Sequence, residues 1–112
     1  MHIATMSMDA VFRALADPVR RQLLDSLHAR NGQTLRELCE GRGMTRQAVT
    51  RHLAILEGAN LLATQKRGRA KLHYLNPVPI QEIADRWIGK YERGSLAGLV
   101  DLKQRLEGET DG

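Results

Sequence analysis

The feature that most constrains this chain is a pair of separately capped helical segments lying a few residues apart near its middle. Thr34 followed by Glu37 is a capping box, in which each side chain bonds the other residue's backbone N–H. The helix it opens carries Leu35, Leu38 and Cys39 as its apolar residues, and Gly41-Arg42-Gly43 breaks it. Thr45 caps a longer helix, TRQAVTRHLAILEGA, which Gly58 and Asn60 bring to a close. Two helices joined by a short glycine-containing turn form a helix–turn–helix, here over residues 34–58.

The longer helix divides cleanly around its axis. At about 100° per residue, Ala48, Val49, His52, Leu53, Ile55 and Leu56 occupy roughly 180° to 340°. Arg46, Gln47, Thr50, Arg51 and Ala54 occupy roughly 0° to 140°. One face is expected to pack on the domain while the other offers two guanidiniums, an amide and a hydroxyl. Such groups suit a DNA major groove: arginine pairs with guanine O6 and N7, glutamine with adenine N6 and N7, and threonine bonds a base edge or packs on a thymine methyl. They also cluster in the first two turns, the end that a helix–turn–helix inserts. An ordinary solvated helix face is the alternative.

The flanking segments supply the rest of a fold. Met8, Val11, Phe12 and Leu15 make the stripe of a short amphipathic helix. Asp17-Pro18 caps a second helix, continued by Val19, Leu23, Leu24 and Leu27 and ended by Asn31-Gly32. After the helix–turn–helix, Leu62, Thr64 and Lys66 alternate with Ala63, Gln65 and Arg67, Leu72 and Tyr74 mark a second strand, and Gly68 sits at the hairpin tip. Asn76-Pro77 and Pro79 stop the sheet. Ile80, Ile83, Ala84, Trp87, Ile88 and Tyr91 then share one face of a long terminal helix, which Gly94, Ser95 and Gly98 weaken before Leu99, Leu102 and Leu106 resume it. The GETDG tail is expected to fray. The order is four helices, a two-stranded hairpin and a terminal helix: a mainly α, winged helix–turn–helix fold, expected as a single domain over 1–112.

Charge follows the same map. The net charge of +4 is distributed as +1 over residues 1–33, +5 over 34–78 and −2 over 79–112. A basic middle between near-neutral or acidic ends suggests one face built for a polyanion. Lys66, Arg67, Arg69 and Lys71 concentrate charge on the wing at 62–75, where arginines at a tip suit phosphates. The candidate DNA-contacting set is Thr45, Arg46, Gln47, Thr50, Arg51, Lys66, Arg67, Arg69 and Lys71.

With 42% apolar residues the chain is rich enough to bury a core, and no apolar run approaches the roughly 18 residues of a membrane span. The opening MHIATMSMDAVF lacks the parts of a signal peptide, and one cysteine makes no internal disulfide, so a cytoplasmic location is expected. No nucleophile stands with a base, no glycine loop suits a phosphate, and no carboxylates pair at a useful separation, which argues against an enzyme.

FRALADPVRRQLLDSL, LRELCEGRGMTRQAVTRHLAILEGANLL and TQKRGRAKLHYLNP together resemble the ArsR/SmtB family of bacterial winged-helix repressors over residues 8–91. The most specific piece is Val49, His52, Leu53 and Leu56 before Ala59-Asn60-Leu61-Leu62. The resemblance implies a homodimer built from the first and last helices, binding an imperfect palindrome and repressing. It places Arg46, Gln47, Thr50 and Arg51 where base-reading residues lie, and Arg67 and Arg69 at the wing tip. The helices expected to self-associate are 8–16 and 79–107, through Met8, Val11, Phe12, Leu15, Ile83, Trp87, Ile88 and Tyr91.

The chain departs from the family's sensors. Where many members carry Cys-x-Cys, it has Leu38-Cys39-Glu40-Gly41, and residues 79–112 contain no histidine. One thiol is a weak set for zinc, which wants about four donors. Cys39 reads as packing, with metal or redox sensing as alternatives, and His52 as a core or interface histidine. No metal or cofactor is expected. An effector, if used, would be a small molecule between the terminal helices or an oxidant of Cys39. Competing functions are a non-specific architectural DNA binder and a winged-helix protein-interaction module.

Overall fold

Local capping chemistry sets where the helices of this chain start and stop. The computed structural model describes the backbone of residues 2–88 and 93–111 and the side chains of residues 8–88 and 98–108. In order come α1 (His2–Leu15), α2 (Pro18–Ala29), α3 (Leu35–Cys39), α4 (Arg46–Gly58), β1 (Leu62–Arg67), β2 (Ala70–Leu75), α5 (Val78–Trp87) and α6 (Arg93–Asp111). Asp17 caps α2 by accepting from the Val19 and Arg20 N–H groups at 2.8 and 3.2 Å, with Pro18 in the first turn where no N–H is needed. Thr34 and Glu37 complete their capping box at 3.1 and 3.2 Å, and Thr45 accepts from Ala48 N–H at 3.1 Å.

The helix ends use chemistry that spacing alone does not announce. Arg20 and Arg21, in the first turn of α2, reach back to the terminal carbonyls of α1. Arg20 donates to Ala14 and Arg13 at 2.8 and 3.1 Å, and Arg21 to Leu15 at 2.7 Å. These carbonyls have no partner inside the helix, and a cation there also meets the negative end of its dipole. Asn60, at φ 61°, closes α4. Its N–H donates to Glu57 at 2.9 Å, and the Leu61 N–H donates to Leu56 at 3.0 Å. This is a Schellman closure with its usual apolar contact, since Leu56 and Leu61 are both fully buried.

The described contacts fall into two compact units, Met1–Ile80 and Gln81–Gly112, with the boundary inside α5. In the first unit, Val11 and Ala14 of α1, Leu23, Leu24 and Leu27 of α2, Leu38 of α3 and Val49, Leu53 and Leu56 of α4 form the core. Leu61 and Leu62 extend it to the base of the hairpin. Every buried apolar side chain among the described residues belongs to this unit.

In the second unit, the single long helix expected after Pro79 is instead two, α5 and α6. Gly94 and Gly98, expected to weaken it, lie inside α6, which runs to Asp111. The described side chains of this unit leave Trp87, Ile88, Leu99, Val100, Leu102 and Leu106 exposed. Arg86 stands 5.7 Å over the Trp87 ring. No helix among the described residues is long and apolar enough to cross a membrane.

The caps carry a pH signature. Burial pushes the Asp17 carboxyl up, but the Arg20 and Val19 N–H groups and the Arg20 charge outweigh it and hold the group below its ordinary value. A carboxylate depressed on folding stabilises the fold above its unfolded pKa of roughly 4, and that contribution is lost as pH falls through the depressed value. Urea midpoints of wild type and Asp17→Asn are expected to differ at neutral pH and converge on acidification through that range.

Candidate nucleic-acid interface

The exposed face of α4 exists because its opposite face is held at several points. Val49, Leu53 and Leu56 are buried, and His52 is half-buried with its Nδ1 3.3 Å from Arg20 Nη1. A guanidinium only donates, so Nδ1 is the acceptor of this contact. Arg20 thus joins α1, α2 and α4 through one side chain. The wheel misplaces one residue. Ile55, assigned to the packed face, is 40% exposed, because it lies at the edge of an arc narrower than the sequence suggests.

Thr45, Arg46, Gln47, Thr50 and Arg51 are all exposed, as expected for a face directed outwards. Thr50 has a further constraint: its hydroxyl donates to the Arg46 carbonyl at 2.8 Å. It therefore presents a methyl group and an acceptor oxygen, with its proton already committed.

The wing is an antiparallel pair in the register Leu62↔Leu75 to Arg67↔Ala70, leaving Gly68 and Arg69 as a two-residue tip. Gly68 takes φ 63° at the first central position, which such a hairpin turn requires and a residue with a Cβ resists. Lys66, Arg67 and Arg69 are exposed at the tip. Alternation puts Lys66 and Lys71, direct partners, on the ribbon face that carries the buried Leu62 and His73. Arg67 lies on the other face.

His73, not Leu72 or Tyr74, is the buried residue of β2. It anchors the wing to the turn between α2 and α3. The Gln33 carbonyl accepts from the His73 N–H at 2.8 Å and lies 2.9 Å from Nδ1, and Gly32 N–H donates to the His73 carbonyl at 2.8 Å. The buried Gln33 amide donates to the Ser26 and Arg30 carbonyls at 3.0 and 2.8 Å, satisfying the end of α2. Asn76 N–H donates to Leu61 and its amide to Asn60, both at 2.8 Å, and Asn31 accepts from Leu75 N–H at 2.8 Å. Among the described residues no buried side-chain polar atom lacks a partner.

Between α3, α4 and the wing lies an open groove of about 510 Å³. Arg46, Thr50, Leu53 and Glu57, one row of α4, line it opposite Arg69, Lys71 and His73. Lys71, a candidate DNA contact by sequence, is ion-paired to Glu57 at 3.6 Å. Arg42 is half-buried and donates to the Leu38 carbonyl, a closure for α3. Cys39 is half-buried at the end of α3. Among the described residues no group of three or more His, Cys, Asp or Glu side chains could hold a metal ion.

The residues expected to self-associate are placed unevenly. Val11 is 1% exposed, so it is taken up by the core of its own unit and offers no surface to a partner. Met8 and Leu15 are half-buried, while Phe12 is 46% exposed. In the second unit Ile83 is half-buried, Trp87 and Ile88 are exposed, and Tyr91 lies outside the described residues.

A helix–turn–helix with a solvent-facing polar second helix, followed by an arginine-tipped hairpin, defines a winged helix–turn–helix DNA-binding protein. Residues 15–65 match a family model described as a helix-turn-helix domain. The chain is 37% identical over 86 residues to the HTH-type transcriptional regulator YuzN of Bacillus subtilis, covering 71% of this chain and 94% of that one. It is 29% identical to the transcriptional repressor SdpR of the same organism, over 67% of this chain and 82% of SdpR. An ArsR-like transcriptional regulator from Rhodococcus sp. RHA1 superimposes with a TM-score of 0.67 at 25% identity, covering 88% of this chain and 93% of that one. The chain belongs to the ArsR family of winged helix–turn–helix transcriptional regulators, and its relatives are DNA-binding proteins rather than enzymes.

The closure of α2 by the Gln33 amide gives a direct test. Gln33→Leu keeps similar bulk but strips the donors from two helix-end carbonyls, and is expected to cost about 1–3 kcal/mol in urea unfolding.

Proposed function

We propose that this regulator is a sequence-specific repressor that binds an imperfect palindrome as a homodimer in the cytoplasm. The observation that carries the reading is the exposed set Arg46, Gln47, Thr50 and Arg51 on the first two turns of α4. In a helix inserted end-on, those turns reach base edges first, and each of these side chains discriminates among them. Phosphate contacts by Lys66, Arg67 and Arg69 would fix register without reading sequence. SdpR, which the chain resembles, is itself a repressor, and this supports the sign of regulation.

Homodimer formation is supported by the apolar surface outside the core. Phe12 of α1 and Trp87 and Ile88 of the α5 segment are exposed, and α6 adds Leu99, Val100, Leu102 and Leu106. A chain of this size rarely leaves so much apolar area in water unless a partner covers it. A two-fold partner would present two α4 helices to successive major grooves, one helical turn apart.

Selection of the purified protein on a randomised duplex pool tests the reading. A palindrome with half-sites about one helical turn apart is expected. A flat pool with strongly salt-dependent retention would instead establish an architectural binder. On the selected site, Arg51→Ala is expected to relax preference at one base position and cost about 1–3 kcal/mol. Arg67→Ala is expected to weaken all sequences alike and reduce the salt slope by about one unit. Ile88→Glu is expected to shift wild-type dimers towards monomer in sedimentation; an unchanged mass would place the contact elsewhere.

A further inference from the structure

We infer that Arg36 is a DNA-phosphate contact of this regulator and that Glu57 cancels the charge of Lys71 in the same groove; the inference rests on the DNA-binding reading. Arg36 was visible in the sequence only as one more basic residue. In the structure it is exposed on α3 and lines the groove with Arg46 of α4 and Arg69 of the wing. Three guanidiniums from three elements therefore border one open channel. Among the described residues no acidic side chain forms an ion pair with any of them. By contrast, Arg30, at the end of α2, is bound to Glu37 of α3 at 2.9 Å.

The groove also holds one carboxylate, Glu57, on the row of α4 that includes Arg46 and Thr50. A carboxylate beside a polyanion is unfavourable by itself, so its presence needs a reason. The register supplies one. Lys66 and Lys71 are direct cross-strand partners, and like charges so placed destabilise a ribbon. Glu57, 3.6 Å from Lys71, relieves that repulsion in the free protein. With DNA bound, the Glu57–Lys71 pair brings no net charge to the phosphates, whichever partner Lys71 takes. The wing's useful cations are then Lys66, Arg67 and Arg69, joined by Arg36 from α3.

Salt dependence counts these charges. Binding to one mixed-sequence duplex is measured across a salt series for wild type, Arg36→Gln, Glu57→Gln and Glu57→Gln/Lys71→Gln. Each phosphate neutralised contributes about 0.9 to the slope of log affinity against log salt, or about threefold in affinity across a fourfold change in salt. Arg36→Gln is expected to flatten the slope by about that amount, and Glu57→Gln to steepen it by as much and tighten binding at low salt. The double variant is expected to return to the wild-type slope. An unchanged slope in Arg36→Gln, or no gain in Glu57→Gln, overturns the inference while wild-type binding still stands. Loss of salt-dependent binding by wild type itself would overturn the DNA-binding reading instead.

Discussion

The disposition of α4 depends on one side chain, Arg20. A largely buried guanidinium must have its donors satisfied, and Arg20 meets this by bonding the end of α1, approaching the Asp17 cap of α2 and reaching His52 of α4. The leucine core supplies most of the favourable energy, but apolar contacts carry little directional information. The Arg20 junction adds direction, fixing how α1 ends, how α2 begins and which edge of α4 faces inward. The polar face of α4 points out because the other face is tied at a specific place.

The wing is secured on a similar plan, by backbone groups together with the Asn31, His73 and Asn76 side chains. Gln33, Gly32, Asn31, Asn60 and Asn76 bond the strands at or near their base, and His73 is the only wing residue beyond the first strand position that is buried. The cations, by contrast, sit where almost nothing packs. Rigid support and an unencumbered charged surface are thus separated along the same two strands. Charge can be changed at the tip without disturbing the fold, and the fold can be tightened at the base without altering the charge.

What the sequence made legible was short-range chemistry. Asp17-Pro18, Thr34 with Glu37, Thr45 and Gly68 each act within three residues, and each does in the structure what its spacing implies. The exposed set on α4 was legible for the same reason, since helical periodicity is local. Features that depend on distant partners were not. The burial of His73 has no local signal because its partner Gln33 is forty residues away, and the pairing of Lys71 has none because Glu57 lies on another element. Arg20 and Arg21 gave no signal, as closing a preceding helix takes no fixed motif. Ile55 lies at the margin of the helical arc, where a few degrees decide between core and solvent.

The buried His73 sits four residues from Arg69, so the free length of the wing is about 14 Å of strand at roughly 3.4 Å per residue. That is comparable to the width of a B-form major groove, about 12 Å. The tip behaves as a short cantilever clamped near its load, and a beam that stubby bends little. It holds the arginines at a nearly constant offset from α4, in the manner of a fixed-jaw gauge. The short reach of the hairpin thus keeps its charged tip close to the anchor at its base.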